Sequence, residues 1–420
     1  MSHQDSQQPR SVCIIGCGTA GQAAAIFLAR AGWRVTVFER AEALSPVGAG
    51  LLLQPTGMSV LHRLGVLDRV LRLGARIKSL EGHTTAGREV MRMAYADLEP
   101  GLFGLGVHRG MLFQTLQAEV ERSGGRVVTG AEVVGMEPGW GERSATPRHV
   151  VDAAGLQHGP FDLVIVADGA RSRLRAGCPL VTRERVYPWG AMWFVGELRD
   201  GPADVLWQVY RSTTGMVGFL PSGRRDDASA PTVSMFLSVA MKGDDGAEAV
   251  RCAGLGAFCD RVRHQTKAAD SLLEQITGME QVITASYMDV RMRRTCEGNV
   301  VVLGDAAHAT SPQLGQGANL ALLDAASLAE CLAHESDVAA ALVRHDSARR
   351  GSVLFYQRAS RWMTPVFQSG MESVAPVRDA ALGPLLRVPW VRQEALRTLA
   401  GVKSGVFAST PIPGARGAEF

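Results

Sequence analysis

Three glycines near the amino terminus restrict the fold of this chain more than any other feature of its sequence. Gly16, Gly18 and Gly21 have the spacing G-x-G-x-x-G and follow a short apolar run with β-branched members, residues 12–15. Such a run is typical of a buried parallel strand, and the Ala-rich residues 22–31 are typical of a helix. At this spacing the glycines allow a tight strand-to-helix turn, the close approach of a pyrophosphate, and close packing of the helix on the sheet.

An acidic residue ends the next predicted strand. That strand covers residues 34–38, and Glu39 follows it, 18 residues beyond Gly21. A carboxylate at this distance can accept hydrogen bonds from ribose hydroxyls, while the helix N-terminus attracts phosphates. We therefore predict a site for an ADP-containing dinucleotide, with Arg40 as an additional contact. FAD or NAD is favoured over NADP, because the acid would repel a 2′-phosphate.

Length and composition limit the alternatives. A chain of 420 residues predicts two or more domains. A net charge of +3 does not indicate nucleic-acid or membrane-surface binding. No apolar run is long enough for a membrane span, and the polar first ten residues do not resemble a signal peptide, so we expect a cytoplasmic protein. The seven cysteines have no zinc-site spacing, and we interpret Cys13 and Cys17 as small packing residues.

Two further apolar runs end in turns that contain glycine and aspartate. Residues 161–167 lead into Asp168 and Gly169, and residues 299–303 lead into Gly304 and Asp305. In an open parallel sheet, ligands bind outside the carboxyl ends of the strands. We therefore expect both turns and the first glycine turn to meet around one cofactor.

The middle of the chain has a different pattern. Between residues 181 and 240, short segments rich in aromatic residues and Met alternate with Gly/Pro turns, which predicts an antiparallel sheet. Residues 246–277 and most of the chain after residue 346 have helical patterns. Residues 409–420 are rich in Pro and Gly and are expected to form a loose tail.

The three turns together resemble those of the para-hydroxybenzoate hydroxylase family, the single-component FAD-dependent aromatic monooxygenases. The matching segments are GCGTAG at 16–21, DGARSRLR at 168–175 and GDAAHATSPQLGQGAN at 304–319. The resemblance covers roughly residues 10–380. It implies an α/β fold in which a Rossmann-type FAD-binding domain carries an inserted antiparallel-sheet substrate domain and C-terminal helices.

The predicted domain boundaries follow from this resemblance. The discontinuous FAD-binding domain comprises residues 10–75, 100–180 and 288–345; the substrate domain comprises 76–99 and 181–287; the C-terminal helical segment is 346–405 and the tail 406–420.

The resemblance also implies roles for single residues. Asp305 resembles the acid that binds the ribityl chain of FAD, although a helix cap is the alternative for an Asp in this position. Arg109, in the pattern R-x-x-L-x-x-x-L, resembles an arginine near the ribityl-pyrophosphate region, with a solvated arginine as the alternative. For Asp168, nucleotide contact and a purely structural turn are both open. The helix opening at 315–319 would direct N–H groups at the flavin. The full predicted cofactor-binding set is Gly16, Gly18, Gly21, Glu39, Arg40, Gly50, Arg109, Asp168, Asp305, Gly315, Gly317, Ala318 and Asn319.

The implied activity is that of an FAD-dependent NAD(P)H:oxygen oxidoreductase. NADH or NADPH would reduce bound FAD, O2 would add at flavin C4a, and the hydroperoxide would hydroxylate an aromatic or phenol-like small molecule. A second dinucleotide fingerprint is missing from the sequence, so the nicotinamide is expected to bind transiently. Alternatives on the same fold are Baeyer-Villiger-type oxygen insertion, oxidative decarboxylation, a reductase or a halogenase; a non-catalytic FAD-binding protein is a further one.

Residues of the substrate site are harder to derive. Histidine is missing between His158 and His264, so a base in this sheet would be a tyrosine, Tyr210 or Tyr187, unless both merely pack. Alternation along a strand lets only half of the apolar side chains face a pocket. The predicted catalytic residues are Tyr210 and Pro312; the predicted substrate-binding residues are Met192, Tyr210, Phe219, Met235 and Pro312. We expect a monomer or homodimer without a metal site.

Overall fold

The computed structural model describes residues 9–44, 48–142 and 146–412 of the chain. Residues 413–420 of the predicted tail lie outside these ranges. The strands in the described part are, in chain order, β1 Ser11–Ile15, β2 Arg34–Phe38, β3 Gly50–Leu53, β4 Ala75–Ile77, β5 Ser79–Thr84, β6 Glu89–Ala94, β7 Gly104–His108, β8 Arg126–Val128, β9 Val133–Glu137, β10 Arg148–Asp152, β11 Gln157–Phe161, β12 Leu163–Val166, β13 Val181–Glu197, β14 Val205–Tyr210, β15 Met216–Gly223, β16 Thr232–Ala240, β17 Ile283–Met292, β18 Cys296–Glu297 and β19 Val300–Val302. The α-helices there are α1 Thr19–Arg30, α2 Pro55–Arg63, α3 Leu67–Leu73, α4 Arg109–Arg122, α5 Ala247–Arg263, α6 Asp270–Leu273, α7 Asp305–His308, α8 Gly317–His334, α9 Val338–Phe367, α10 Val374–Arg387 and α11 Pro389–Leu399.

A six-stranded sheet carries the three predicted turns. Its strand order is β18-β19-β12-β1-β2-β8, and β1, β12, β2, β19 and β8 pair in parallel. The side chains of β1 and β12 are buried because both faces of the sheet are covered. Helices α1, α4 and α8 cover one face, and the three-stranded sheet β11-β10-β9 covers the other. The predicted α/β architecture is therefore confirmed.

A seven-stranded sheet forms the second layer. Its order is β17-β13-β16-β15-β14-β5-β6, with antiparallel pairing except between β14 and β5. One face packs against α5 and α6. The opposite face, here called the inner face, carries Trp193, Gly218, Ser222, Ser234 and Phe236, because side chains alternate along each strand. The predicted domain boundaries stay a prediction, and β17 extends five residues past the boundary at residue 287.

Most of the chain between residues 338 and 399 is helical. Helix α9 begins before the predicted boundary at residue 346 and continues through Pro365 near its end. It packs against α8, while α10 and α11 pack against β6. Among the described residues, helices with the length and apolar character of a membrane span are absent.

Candidate active site

The backbone geometry explains each glycine of the first turn. Gly16 has a φ of +101°, and a Cβ there would lie 2.4 Å from the carbonyl oxygen of Ala167. A Cβ at Gly21 would lie 2.0 Å from the carbonyl oxygen of Gly16, so α1 could not pack this closely on the turn with any other residue. At Gly18, by contrast, a Cβ would meet no described atom within 4 Å. The second glycine therefore borders open space in front of the α1 N-terminus.

The three predicted turns meet at this end of the six-stranded sheet. Gly16 lies against Ala167 and Asp168, at the end of β12. Gly304 has a φ of +60°, and a Cβ there would lie 3.0 Å from the Cβ of Ala20 in α1. We call the surface formed by these turns and the start of α8 the cradle. Its components come from distant parts of the chain, as predicted.

Glu39 lies at the end of β2, next to the first glycine turn. Its Oε2 accepts a hydrogen bond from the Cys17 N–H at 2.9 Å, and its Oε1 accepts one from the Ala41 N–H at 3.0 Å. These bonds hold the carboxylate beside the turn, where a ribose could reach it. Arg40 is exposed beside it.

Asp168 has an unsatisfied atom in the cradle. Its Oδ1 is buried and has no hydrogen-bond partner among the described residues, and burial raises the pKa of the carboxyl group. A buried oxygen left without a donor destabilises a protein by about 1–3 kcal/mol, so this atom fits a site whose donor arrives with a ligand. Arg175 supports the turn, because its guanidinium donates to the Ala170 and Ala306 carbonyl oxygens, each at 2.7 Å. It thereby joins the second turn to the third.

The start of α8 offers unpaired N–H groups. The first three helical residues, Gly317 to Asn319, have N–H groups that no intrahelical carbonyl can reach. Gly315, just before the helix, adopts the left-handed conformation with a φ of +60°. A Cβ on Gly317 would lie 3.6 Å from Oδ1 of Asp305, so the helix start and the acid are neighbours. Asp305 and Pro312 are both exposed at this edge.

The side chain of Asn319 does not face the cradle, and the predicted contact of its main-chain N–H with a cofactor stays a prediction. The side chain is fully buried, and its Oδ1 accepts from the Gln54 N–H at 2.8 Å. Its Nδ2 donates to the carbonyl oxygens of Leu52 and Gly315. The amide ties α8 to β3 and to the start of α2, which leaves only the Asn319 main chain for a ligand.

Gly50, another of the predicted cofactor-binding residues, lies against the inner face of the seven-stranded sheet. A Cβ there would lie 2.1 Å from the Ser222 Oγ. The Gly50 N–H donates to the Ser234 Oγ at 2.7 Å. Gly50 thus lets β3 approach the inner face of the seven-stranded sheet. Nearby, a Cβ on Gly48 would lie 2.8 Å from Cδ of Arg109, whose exposed side chain covers this loop.

A buried polar cluster supports the third turn from behind. Oδ2 of Asp324 accepts from the Gly304 N–H at 3.0 Å and contacts Nε2 of His308 at 2.5 Å. Oδ1 of Asp324 accepts from Nε of Arg349 at 2.8 Å. Although burial opposes ionisation, these partners hold the pKa of Asp324 well below its usual range. Burial lowers the pKa of the adjacent His345 to about 4. His308 is buried and bound to Asp324, so its environment is that of a packing residue.

Helix α9 holds the segment that precedes α8, a feature that the sequence analysis missed. Oγ of Ser360 donates to the Ser311 carbonyl oxygen at 2.7 Å, and Oγ1 of Thr364 donates to the Ser311 Oγ at 3.0 Å. Nε2 of Gln313 donates to Oε1 of Gln368 at 2.9 Å. Ser360, Thr364 and Gln368 are spaced four residues apart, with Gln368 directly after the last residue of α9, and this spacing could have indicated a shared polar face.

Three of the predicted substrate-binding residues lie on the wrong face of the seven-stranded sheet. Met192, Phe219 and Met235 are buried in the core with Phe258 of α5 and Leu272 of α6. That core is on the face opposite to the one that contacts β3. Substrate contact by these side chains is therefore contradicted.

Tyr210 lies on the inner face but is not a base. Its side chain is 1% exposed, and its hydroxyl donates to Oε1 of Gln208 at 2.7 Å. The ring packs against Phe367, and the guanidinium of Arg378 lies 4.7 Å from its centroid. Burial raises the pKa of Tyr210 well above its usual range. The predicted catalytic and substrate-binding roles of Tyr210 are wrong, since the residue packs the wall of the site.

Other aromatic residues of the inner face are better placed. The rings of Trp193 and Phe236 are 4.7 Å apart, and both side chains are only partly buried. Phe236 lies over Gly218, where a Cβ would be 2.1 Å from the ring, and packs in a cluster with Met363 of α9. We call the apolar region between the inner face and α9 the chamber.

Comparison with known proteins identifies the class. The model of an FAD binding domain family matches residues 10–362. Aurachin C monooxygenase/isomerase of Stigmatella aurantiaca is 30% identical, over 81% of this chain and 85% of its own. The 3-amino-4-hydroxybenzoate 2-monooxygenase of Streptomyces cremeus is also 30% identical, over 76% and 78%. A crystal structure of Klebsiella pneumoniae HpxO complexed with FAD and uric acid has a TM-score of 0.79 at 21% identity and covers 93% of this chain and 97% of that one.

The chain belongs to this FAD-binding family and is an FAD-dependent monooxygenase. The cradle fits FAD on three observations. The space at Gly18 is open for a pyrophosphate, Oδ1 of Asp168 is buried without a partner among the described residues, and the N-terminus of α8 lies beside Asp305.

Proposed function

We propose that this enzyme hydroxylates a planar aromatic small molecule in the chamber, at the edge of the cradle. The observation that carries this proposal is the position of Pro312 and the α8 N-terminus, which α9 holds in place through Ser360 and Thr364. The same helix contributes Met363 to the apolar cluster around Phe236. One helix therefore joins the cofactor side to the substrate side.

The residues of the cradle would bind and orient FAD. Glu39 would accept hydrogen bonds from the ribose, the N–H groups at Gly18 would meet the pyrophosphate, and Asp305 would hold the ribityl chain. When bound, FAD supplies hydride acceptance from NADH or NADPH and activation of O2. Negative charge that develops at the reacting ring is stabilised by the α8 N-terminus by about 0.3–2 kcal/mol.

The chamber would position the substrate and exclude water. The Trp193 and Phe236 rings present apolar faces against which a planar ring can stack, with favourable centroid separations of about 4.5–7 Å. Pro312 would form the opposite wall without offering a competing hydrogen-bond donor. A dry site limits the loss of reduced oxygen to solvent.

Tyr187 and Thr310 replace Tyr210 as the polar candidates. The Tyr187 hydroxyl lies beside Thr310 and Ser311, and burial raises its pKa. Neither the Tyr187 hydroxyl nor Oγ1 of Thr310 has a hydrogen-bond partner of good geometry within the described part of the chain. With a raised pKa, Tyr187 would act as a neutral donor to a substrate oxygen rather than as a base.

The relatives suggest which compounds to test first. By their names they act on aurachin C and 3-amino-4-hydroxybenzoate, and HpxO was crystallised with uric acid. We infer that a ring bearing a hydroxyl or oxo group, with nitrogen in or on the ring, is the substrate class.

A screen tests the proposal directly. Purified FAD-loaded protein is mixed with NADH or NADPH and a panel of hydroxylated benzoates, pyridines, quinolones and purines. We expect at least one compound to accelerate NAD(P)H oxidation and to gain one oxygen atom by mass spectrometry. Nicotinamide oxidation that no panel member accelerates, without any oxygenated product, would contradict the proposal.

The oligomeric state and location are also proposals. All seven cysteines, each in the described part of the chain, are free thiols, which suits the reducing cytoplasm. We infer a cytoplasmic monomer or homodimer without nucleic-acid or membrane partners. Light scattering on the eluting protein would refute this state if it gave the mass of a larger assembly.

A further inference from the structure

A cavity of about 670 Å³ borders the third turn, and Ala307 and His308 but not Asp305 are among its lining residues. It is bounded by the start of β13, the end of β17, helix α7 and one side of α9. Its lining includes His308 and Asp324 of the buried cluster but none of the predicted cofactor-binding residues. Nor do Trp193 or Phe236 contribute to it, so it is separate from both the cradle and the chamber.

The charge of this cavity is unusual. Seven arginines line it, against three carboxylates. Most of the lining carboxylate charge is already neutralised: Arg349 pairs with Asp324 and Arg350 with Asp346. The third carboxylate, Glu184, pairs with a buried arginine outside the lining. Arg183 and Arg361 both pair with Asp289, which is buried and outside the lining, so the positive charge left over in the cavity comes from the remaining arginines.

Several of its cationic groups have no anionic partner. In the described ranges, Arg185, Arg291 and Arg293 form no ion pair. Nη2 of Arg349 is buried and has no hydrogen-bond partner in the same part of the chain. A buried guanidinium nitrogen without an acceptor is unfavourable by about 1–3 kcal/mol or more. This atom is an independent sign that an acceptor from outside the chain belongs here.

We propose that this arginine cavity binds a small molecule through a phosphate or diphosphate group. Planar guanidinium groups pair with phosphate oxygens in a bidentate manner, and several of them around one site favour a multiply charged anion. The volume lies within the range of about 300–1,000 Å³ that is usual for small-ligand pockets. Thr182, Thr295 and Gln357 line the same cavity. Each already donates a hydrogen bond within the chain, so their oxygens are left to accept from a sugar or base attached to the phosphate.

Calorimetry with inorganic pyrophosphate on the FAD-loaded protein tests this site. The double variant Arg291→Gln/Arg293→Gln removes two cavity charges that have no ion pair, and we expect at least a tenfold weaker affinity. The matched control is Arg294→Gln, which removes the same charge from the adjacent residue outside the cavity lining and should bind as the wild type does. The bound-flavin absorbance spectrum verifies that both variants are folded.

Arg349 provides a second test of geometry. Arg349→Lys keeps a positive charge beside Asp324 but removes the unpartnered Nη2. We expect pyrophosphate affinity to fall several-fold while the flavin spectrum is retained. Pyrophosphate that does not bind the wild type at millimolar concentration, or that binds the double variant as tightly as the wild type, would overturn the proposal.

Competition experiments identify the source of the phosphate. ATP that displaces pyrophosphate while NADH and NADPH do not indicates a separate nucleotide ligand. Displacement by NADPH at concentrations near its KM indicates that the phosphates of the reductant occupy the cavity. The proposed hydroxylation does not depend on this site, because the substrate screen measures it separately.

Discussion

The cradle and the chamber are built by different means. In the cradle, main-chain geometry decides which residues can occur: Gly16 and Gly304 have positive φ angles, and Gly21 touches the Gly16 carbonyl oxygen. In the chamber, ordinary strands present alternate side chains, and the packing of helices decides which set is hidden. The first region is fixed by backbone contacts, whereas the second is fixed by which face of a sheet is covered.

Because of this difference, residues of the cradle and of the chamber should differ in how freely they can be substituted. A change of any cradle glycine with a blocked Cβ position forces the main chain to move. A change of Trp193 or Phe236 alters only the shape of the wall, because the strand itself does not depend on these side chains. We therefore expect substitutions in the two regions to have separable effects on folding, cofactor binding and substrate binding.

The largest effect is expected at Asp324, which supports the cradle from behind. Asp324→Asn leaves Arg349 without its buried counter-charge and disturbs the hydrogen bond to His308, and should lower the free energy of unfolding by about 3–5 kcal/mol. Urea unfolding of the apo-protein measures this. Its control is Asp305→Asn in the exposed part of the same turn, which should leave stability within about 0.5 kcal/mol and weaken FAD binding roughly tenfold to a hundredfold. Equal stability losses in both variants would contradict the distinction.

Substitution of the glycines in the first turn should have two different effects, one on the stability of the apo-protein and the other on FAD affinity. Gly21→Ala places a Cβ 2.0 Å from a main-chain oxygen and should destabilise the apo-protein by about 3 kcal/mol or more. Gly18→Ala, at an extended φ of −77°, meets open space and should leave the apo-protein intact. Its Cβ would then stand where the pyrophosphate approaches, so FAD affinity should fall at least tenfold. Thermal melts and FAD titrations separate the two, and wild-type FAD affinity in Gly18→Ala would refute the cradle.

The two faces of the seven-stranded sheet should also respond differently. Phe236→Leu on the inner face should raise the KM of the substrate about tenfold, since the pocket loses a ring face. Met235→Leu, on the opposite face of the same strand, conserves volume and should change stability by less than about 1.5 kcal/mol with the KM unchanged. Steady-state kinetics on the best compound from the screen gives the answer. A raised KM in Met235→Leu alone would restore the original assignment of the faces.

The smallest expected effect is a pH dependence of the free energy of unfolding, which arises from His345 in the buried cluster next to the third turn. The pKa of His345 is lowered by burial to about 4, below the usual value of 6.5. The unfolded chain therefore takes up a proton that the folded protein refuses, so stability is full above pH 6.5 and falls as the pH drops towards 4. Between pH 7.5 and 5.5 we expect a loss of about 1 kcal/mol from this group.

A matched pair of variants isolates this contribution. His345→Gln should unfold with a smaller loss between pH 7.5 and 5.5 than the wild type, while His264→Gln, at an exposed histidine, should show the wild-type loss. Identical pH slopes in all three proteins would exclude His345 as the titrating group.

The sequence predicted the cradle well because its signals are local. The strand at residues 34–38 and the helix after Gly317 agree with β2 and α8, since apolar runs and glycine turns mark them directly. Local signals do not show which side chains of a strand face the substrate. A shift of one residue in the strand moves each side chain to the opposite face of the sheet. Met192, Phe219 and Met235 do share one face, but α5 and α6 cover it.

Contacts between distant segments could not be predicted. The hydrogen bonds of the Asn319 side chain to Gln54 and Leu52 span more than 260 residues, so the local pattern at the helix start does not indicate them. The hydroxyl of Tyr210 is satisfied by Gln208 only two residues away, yet its burial depends on Phe367 and Arg378. This burial results from the packing of α9 and α10 against the sheet, and the sequence around Tyr210 gives no information about that packing.

A crystal structure of the FAD-loaded enzyme tests the central claim most directly, namely that three distant turns bind one flavin. The account predicts a pyrophosphate at the Gly18 N–H, a ribose hydroxyl at Glu39 and a ribityl hydroxyl at Asp305, all belonging to the same molecule, with its ring at the start of α8. An FAD molecule that contacts Glu39 but leaves Asp305 and the α8 N-terminus in solvent would contradict it.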